Sequence, residues 1–118
     1  MNRSEFLAAV KGKPVPYTAP SGAVVDLRPI TLPERLALFA WHDTHKDDAD
    51  YAQLLRDQYF ALGVCDKEGD SIFKPEECRT IGVGAVDFDA IADEVARRSL
   101  LSQKKGDDAG KDLPATPN

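Results

Sequence analysis

Two stretches of this chain carry residue types that could hold a cation: the acidic loop Asp66-Lys67-Glu68-Gly69-Asp70 and the histidine pair in His42-Asp43-Thr44-His45. A calcium loop of the EF-hand type needs oxygen ligands at alternate positions, a glycine at the sixth and a glutamate at the twelfth. With Gly69 as the sixth residue, the first position falls on Val64 and the twelfth on Pro75, neither of which carries a carboxylate. Calcium is excluded by spacing. The segment reads instead as a short strand, a glycine turn, a second short strand ending at Ile72-Phe73, and a helix start at Lys74-Pro75-Glu76-Glu77. The two histidines stand three residues apart, with Asp47, Asp48 and Asp50 close by, a set that could share zinc or nickel. A metal site announces itself with a second clustered pair, and Cys65 and Cys78 are too far apart in sequence to be one. A solvated helix end, where histidine suits the dipole, is the plainer reading. No metal and no cofactor are expected.

Nucleophilic chemistry fares no better. Cys65 sits in an apolar strand and Cys78 late in a short helix, so both read as small core residues rather than stabilised thiolates. No serine occupies a glycine-flanked elbow. Gly82-Val83-Gly84 is half of a phosphate-binding loop, without the third glycine or the lysine. The residue types point to no enzyme.

The 118 residues, 42% hydrophobic, suit one small domain. A net charge of −5 argues against grasping nucleic acid through phosphates. No apolar run approaches the ~20 residues that span a bilayer, and Met1 to Leu7 lacks a signal-peptide core. Two cysteines make no disulfide framework. A soluble intracellular protein that touches neither nucleic acid nor membrane is expected.

The elements follow from local signals. Ser4 can cap a short helix through Val10. Val15-Pro16-Tyr17-Thr18 and Ala23 to Arg28 flank a Pro20-Ser21-Gly22 turn and read as a hairpin, its proline-bearing strand at a sheet edge. Thr31-Leu32-Pro33-Glu34 is a capping box. Leu32, Leu36, Phe39 and Ala40 then recur at helical spacing, giving an amphipathic helix to about His45. Asp47 or Asp48 caps the next helix, whose stripe is Tyr51, Leu54, Leu55, Gln58, Tyr59 and Leu62, and Gly63 ends it. A short helix spans Pro75 to about Thr80. Asp87 caps the last helix, with Phe88, Ile91, Ala92, Val95 and Leu100 on one stripe and Asp89, Asp93, Glu94, Arg97 and Arg98 opposite. The fold class is α+β, mainly helical: four or five helices, an N-terminal β-hairpin and a second short hairpin near residues 64–73. Residues 1–102 form the single globular domain, and 103–118 a disordered polar tail.

Partner contacts are expected from Phe39 and Trp41, the latter on the flank of its helix. Leu100 and Leu101 lie side by side before the tail, where both cannot be buried, and Arg97 and Arg98 would rim them.

The order of elements resembles the tail assembly chaperones of long-tailed bacteriophages. The similarity is carried by Val25-Asp26-Leu27-Arg28-Pro29-Ile30-Thr31 before the helices, then Val64-Cys65-Asp66 with the Glu68-Gly69-Asp70 turn and Ile72-Phe73, and a final helix. In that family a strand of the form apolar-x-Leu-Arg-Pro-apolar-Thr leads into helices, and a Val-x-Asp-x-x-Gly-x-x-Ile-Phe turn follows. It covers Val24 to Leu101. The resemblance implies a non-enzymatic protein made in the host bacterial cytoplasm from a phage or prophage and absent from the mature virion. It implies binding to the aggregation-prone tape measure protein, promotion of tail tube protein assembly, and self-association. Many relatives append a second domain by ribosomal frameshift. The competing expectation is a small virion structural protein, such as a tail completion or connector subunit.

Overall fold

The computed structural model describes the backbone of residues 1–10 and 13–112 and the side chains of 1–10 and 13–99. The fold is α+β, as the local signals require. Helix α1 (Arg3–Val10) leads into a hairpin of β1 (Val15–Thr18) and β2 (Val24–Leu27), then α2 (Leu32–His45), α3 (Tyr51–Gly63), the two-residue β3 (Val64–Cys65), a 3-10 turn at Pro75–Glu77 and α4 (Ala85–Asp112). The sheet is antiparallel in the order β1-β2-β3, which leaves Pro16 on the edge strand where its missing N–H is harmless. Val15 pairs with Leu27, and Leu27 in turn with Val64.

Local chemistry places the boundaries. The Thr31 hydroxyl accepts from the Glu34 N–H, and the Glu34 carboxylate accepts from the Thr31 N–H at 2.8 Å, completing the expected capping box. Gly22, at φ 95°, closes the hairpin turn. Asp66 organises the acidic loop by accepting from the N–H groups of Glu68 (2.9 Å) and Asp70 (3.0 Å), while Gly69 takes φ 86°. Those N–H groups, Asp70's first, hold the Asp66 carboxyl below the usual carboxylate range. The second hairpin is thinner than expected. It is β3 plus a single bridge from Cys65 to Ser71, with Ile72 turned outward and Phe73 inward.

Three helix starts differ from expectation. α1 is capped by Asn2, not Ser4: the Asn2 Oδ1 accepts from the Glu5 N–H at 2.8 Å and Glu5 reciprocates. α3 begins after Asp50, not Asp47 or Asp48, and the Asp50 carboxylate accepts from Arg79 rather than capping. α4 begins at Ala85, so Asp87 lies within its first turn. Asp87 is drawn away to the hairpin, where it accepts from the Ser21 N–H (3.0 Å) and hydroxyl. The last helix continues to Asp112, beyond the expected boundary near residue 102. The side chains of Leu100, Leu101 and the polar segment after them lie outside the described residues, as does the backbone of 113–118.

The core is α3 laid against α4 and closed by β2 and β3. Phe60, Ala61, Val64, Phe88, Ile91, Ala92 and Val95 form it with Leu27, Ala19 and Cys78. Phe60 stacks on Phe88 with ring centres 4.5 Å apart. Phe88, Ile91, Ala92 and Val95 of the α4 stripe face inward as read. α3 is rotated: its expected stripe is only half-buried, and Asp57, Phe60 and Ala61 take the interior. The physical reason is close approach, because Gly63 lets α3 come down on Val95 with no side chain between. Buried Asp57 is accommodated by hydrogen bonds from Gln53 and Arg79.

One polar hub ties the elements together. Arg28 is only 7% exposed. Its two terminal nitrogens donate to the two Glu34 carboxylate oxygens at 2.9 and 2.8 Å, and one also donates to the Ser71 hydroxyl. Strand β2, the start of α2 and the second hairpin thus converge on one guanidinium.

Candidate partner-binding surface

Helix α2 is apolar on two opposite sides, and the chain covers one of them. The covered side carries Leu38 and half-buried Trp41 and His45. It is fixed by Arg35 donating to the Ser99 carbonyl of α4 (3.2 Å) and by the Ser99 hydroxyl accepting from the Ile30 N–H (3.2 Å). The other side, with Leu32, Leu36 and Phe39, faces outward at 65%, 57% and 53% exposure. A four-residue periodicity was present on both sides, and the Arg35–Ser99 and Ile30–Ser99 bonds decided between them.

Phe39 therefore stands where a partner can reach it. Beside it runs a groove of about 230 Å³ between α2 and α3, lined by Leu38, Phe39, His42, Tyr51, Leu55 and Tyr59. A second hollow of about 240 Å³ continues between α3 and α4, sharing Tyr51, Leu55 and Tyr59 and ending at Arg56, Asp93 and Ala96. Together they make a shallow aromatic furrow beside the outward stripe. Sequence periodicity did not find Leu32 and Leu36 as surface residues. The available signal was that α2 carries apolar residues on two opposite sides, more than a domain this small buries unaided.

Trp41 is placed differently from Phe39. Its ring stacks on His45 (4.7 Å between centres, 17° between planes) and on Tyr51 (5.7 Å), closing the α2–α3 corner. The histidines serve that corner. His42 Nδ1 shares a 2.6 Å hydrogen bond with the Tyr51 hydroxyl, and His45 Nδ1 donates to the Trp41 carbonyl at 2.9 Å. Among the described residues no group of three or more His, Cys, Asp or Glu side chains is gathered to hold a metal ion. Cys65 and Cys78 are both buried, and desolvation pushes the Cys78 thiol up to about 11, with Asp57 and Glu77 adding to it. Such thiols are poor nucleophiles. No described helix is long and apolar enough to cross a membrane.

Arg97 and Arg98 both grip Glu94, at 2.8 and 2.7 Å. Arg98 also donates to the Val15 carbonyl and lies over the Tyr17 ring, so it fastens α4 to the edge strand. Of the two, only Arg97 is exposed. The paired guanidiniums, Arg97's hydrogen bond foremost, hold the Glu94 carboxyl down to about 2. A depressed folded-state value contributes stability that is complete above the unfolded carboxyl range near ~4.3 and is lost as pH falls toward the folded value. Denaturant titrations at about pH 5 and about pH 3 should show the wild type losing stability on acidification, with Glu94→Gln losing measurably less. Equal losses in both proteins would remove Glu94 from the account, since Glu34 and Asp66 are depressed too.

No protein family, no curated protein and no solved structure matches this chain.

Proposed function

We propose that the protein is a tail assembly chaperone of a long-tailed bacteriophage or prophage. It holds the tape measure protein in solution in the host cytoplasm and promotes assembly of tail tube protein around it, without entering the virion. The observation that carries the reading is the outward apolar stripe Leu32-Leu36-Phe39 on a chain of net charge −5. A holdase needs weak apolar contacts multiplied over many copies and enough like charge to keep the loaded complex dispersed. A helix face beside an aromatic furrow suits an amphipathic client helix, which would lay its own stripe into the groove. Phe39 is the central contact, Arg97 a rim charge, and Trp41 a support that shapes the furrow wall. The remaining expected contacts, Leu100 and Leu101, belong to the continuation of α4.

Co-expression tests this directly. The tape measure protein of the same genome should partition to the soluble fraction with the wild-type chain and to the pellet with the Leu36→Asp/Phe39→Asp variant. Purified mature particles should lack the chain. A tape measure protein that stays insoluble beside the wild type sinks the reading. Retention of the chain in particles would instead make it a virion structural subunit.

A further inference from the structure

Helix α1 raises a second question about the α2 face. Its eight residues bury nothing: Phe6, Leu7 and Val10 are 53%, 51% and 59% exposed and share one side of the helix. A lone helix shorter than ~12 residues is marginal in water and persists by packing its apolar side on something. The same chain offers the outward stripe of α2, which runs from Leu32 to Phe39, a length of ~10 Å at the helical rise. The charges around the two are opposite. Among the described residues up to 13, Arg3 and Lys13 stand against Glu5 alone, whereas 32–50 carry Glu34, Asp43, Asp47, Asp48 and Asp50 against Arg35 and Lys46. Glu34 and Asp50 are occupied by Arg28 and Arg79, while among the described residues Asp43, Asp47 and Asp48 enter no ion pair.

We infer that α1 of one copy docks on the outward face of α2 of a second copy, Phe6 and Val10 entering beside Phe39 and the basic flank meeting Asp43, Asp47 and Asp48. The contact joins two different surfaces, so it is heterologous, and each copy keeps one donor helix and one acceptor face. It is smaller than the ~1,200 Å² of a stable interface and is therefore weak and dependent on concentration. A client helix would compete with the neighbour's α1 for the same stripe, a step that rests on the chaperone reading.

Sedimentation velocity of the full chain over a concentration series tests it. The wild type should grow in mass with concentration. Phe6→Asp/Val10→Asp and Leu36→Asp/Phe39→Asp should each stay monomeric with unchanged circular dichroism of the core. An equimolar mixture of the two should stop at a dimer, because one intact helix and one intact face remain. Arg3→Glu/Lys13→Glu should abolish growth, and adding Asp47→Lys/Asp48→Lys should restore it. A mixture that stays monomeric would indicate that α1 folds onto its own chain, and continued association of the α2-face variant would indicate α1–α1 pairing. Either overturns the inference. A chain that associates as described yet holds no tape measure protein overturns the chaperone reading alone; one that holds client while monomeric at every concentration overturns the inference alone.

Discussion

Replacing Glu34 by alanine is expected to cost about 3 kcal/mol of folding stability, the lower end of what breaking a buried ion pair does. Two losses coincide. The Arg28 guanidinium, almost fully enclosed, loses both of its carboxylate contacts and keeps, among the described residues, Ser71 and the Pro29 carbonyl as acceptors. The α2 N-terminus simultaneously loses the carboxylate that accepts from the Thr31 N–H. The carboxyl is held below its ordinary value chiefly by the hydrogen bond from Arg28, and the guanidinium is held up by the same bond. Urea titration distinguishes the two contributions. Thr31→Ala removes half the capping box and should cost only about 1 kcal/mol. Arg28→Ala/Glu34→Ala should cost less than the sum of its single variants, because each single leaves a stranded charge. A Glu34→Ala variant no less stable than Thr31→Ala would show that the hub contributes nothing beyond the cap.

The second large effect is expected at Gly63. A Cβ there would lie 2.8 Å from Val95 Cβ and closer still to its two methyl groups, and Val95 is fully enclosed. Nothing flexible stands in the way to move aside. Gly63→Ala should therefore destabilise by about 1–3 kcal/mol through overpacking, and Gly63→Val should exceed that range or prevent folding. For a domain of this size each kcal/mol lowers the melting temperature by roughly 4–8 °C. Val95→Ala supplies the test of cause. Alone it should destabilise by leaving a void, but combined with Gly63→Ala the new methyl fills the vacated space and the two effects should fall short of additive. Strict additivity would mean that the clash is relieved by a shift of α3 and not by Val95.

Much of the fold was legible because it is written in neighbouring residues. Thr31 and Glu34, the Pro20-Ser21-Gly22 turn, and the prolines of the edge strand act within a few positions, so their consequences survive any tertiary arrangement. The α4 stripe was legible because its other side is densely charged. α2 and α3 were not, and for a common reason. Both have apolar residues on more than one side, so periodicity leaves their rotation open. Contacts from afar chose it: Ser99 of α4 for α2, and Val95 through bare Gly63 for α3. Asp87 and Asp50 show the same limit in miniature. Asp50 stands at the cap position of α3 and Asp87 in the first turn of α4, yet each carboxylate is taken by a partner distant in sequence, Arg79 and Ser21 respectively. The exposed side of α2 was only partly legible: Leu32, Leu36 and Phe39 recur at helical spacing, but spacing alone does not say that this stripe faces outward.

The two enclosed thiols have a use beyond packing. Cys65 lies in β3 and Cys78 just after the 3-10 turn, where its sulfur is placed against the Asp57 carbonyl of α3. Neither can meet a thiol reagent until its own corner parts, the sheet for one and the Pro75–Glu77 turn for the other. The chain thus carries two native clocks of local opening, one in the sheet and one beside the 3-10 turn, readable without adding any label to the protein.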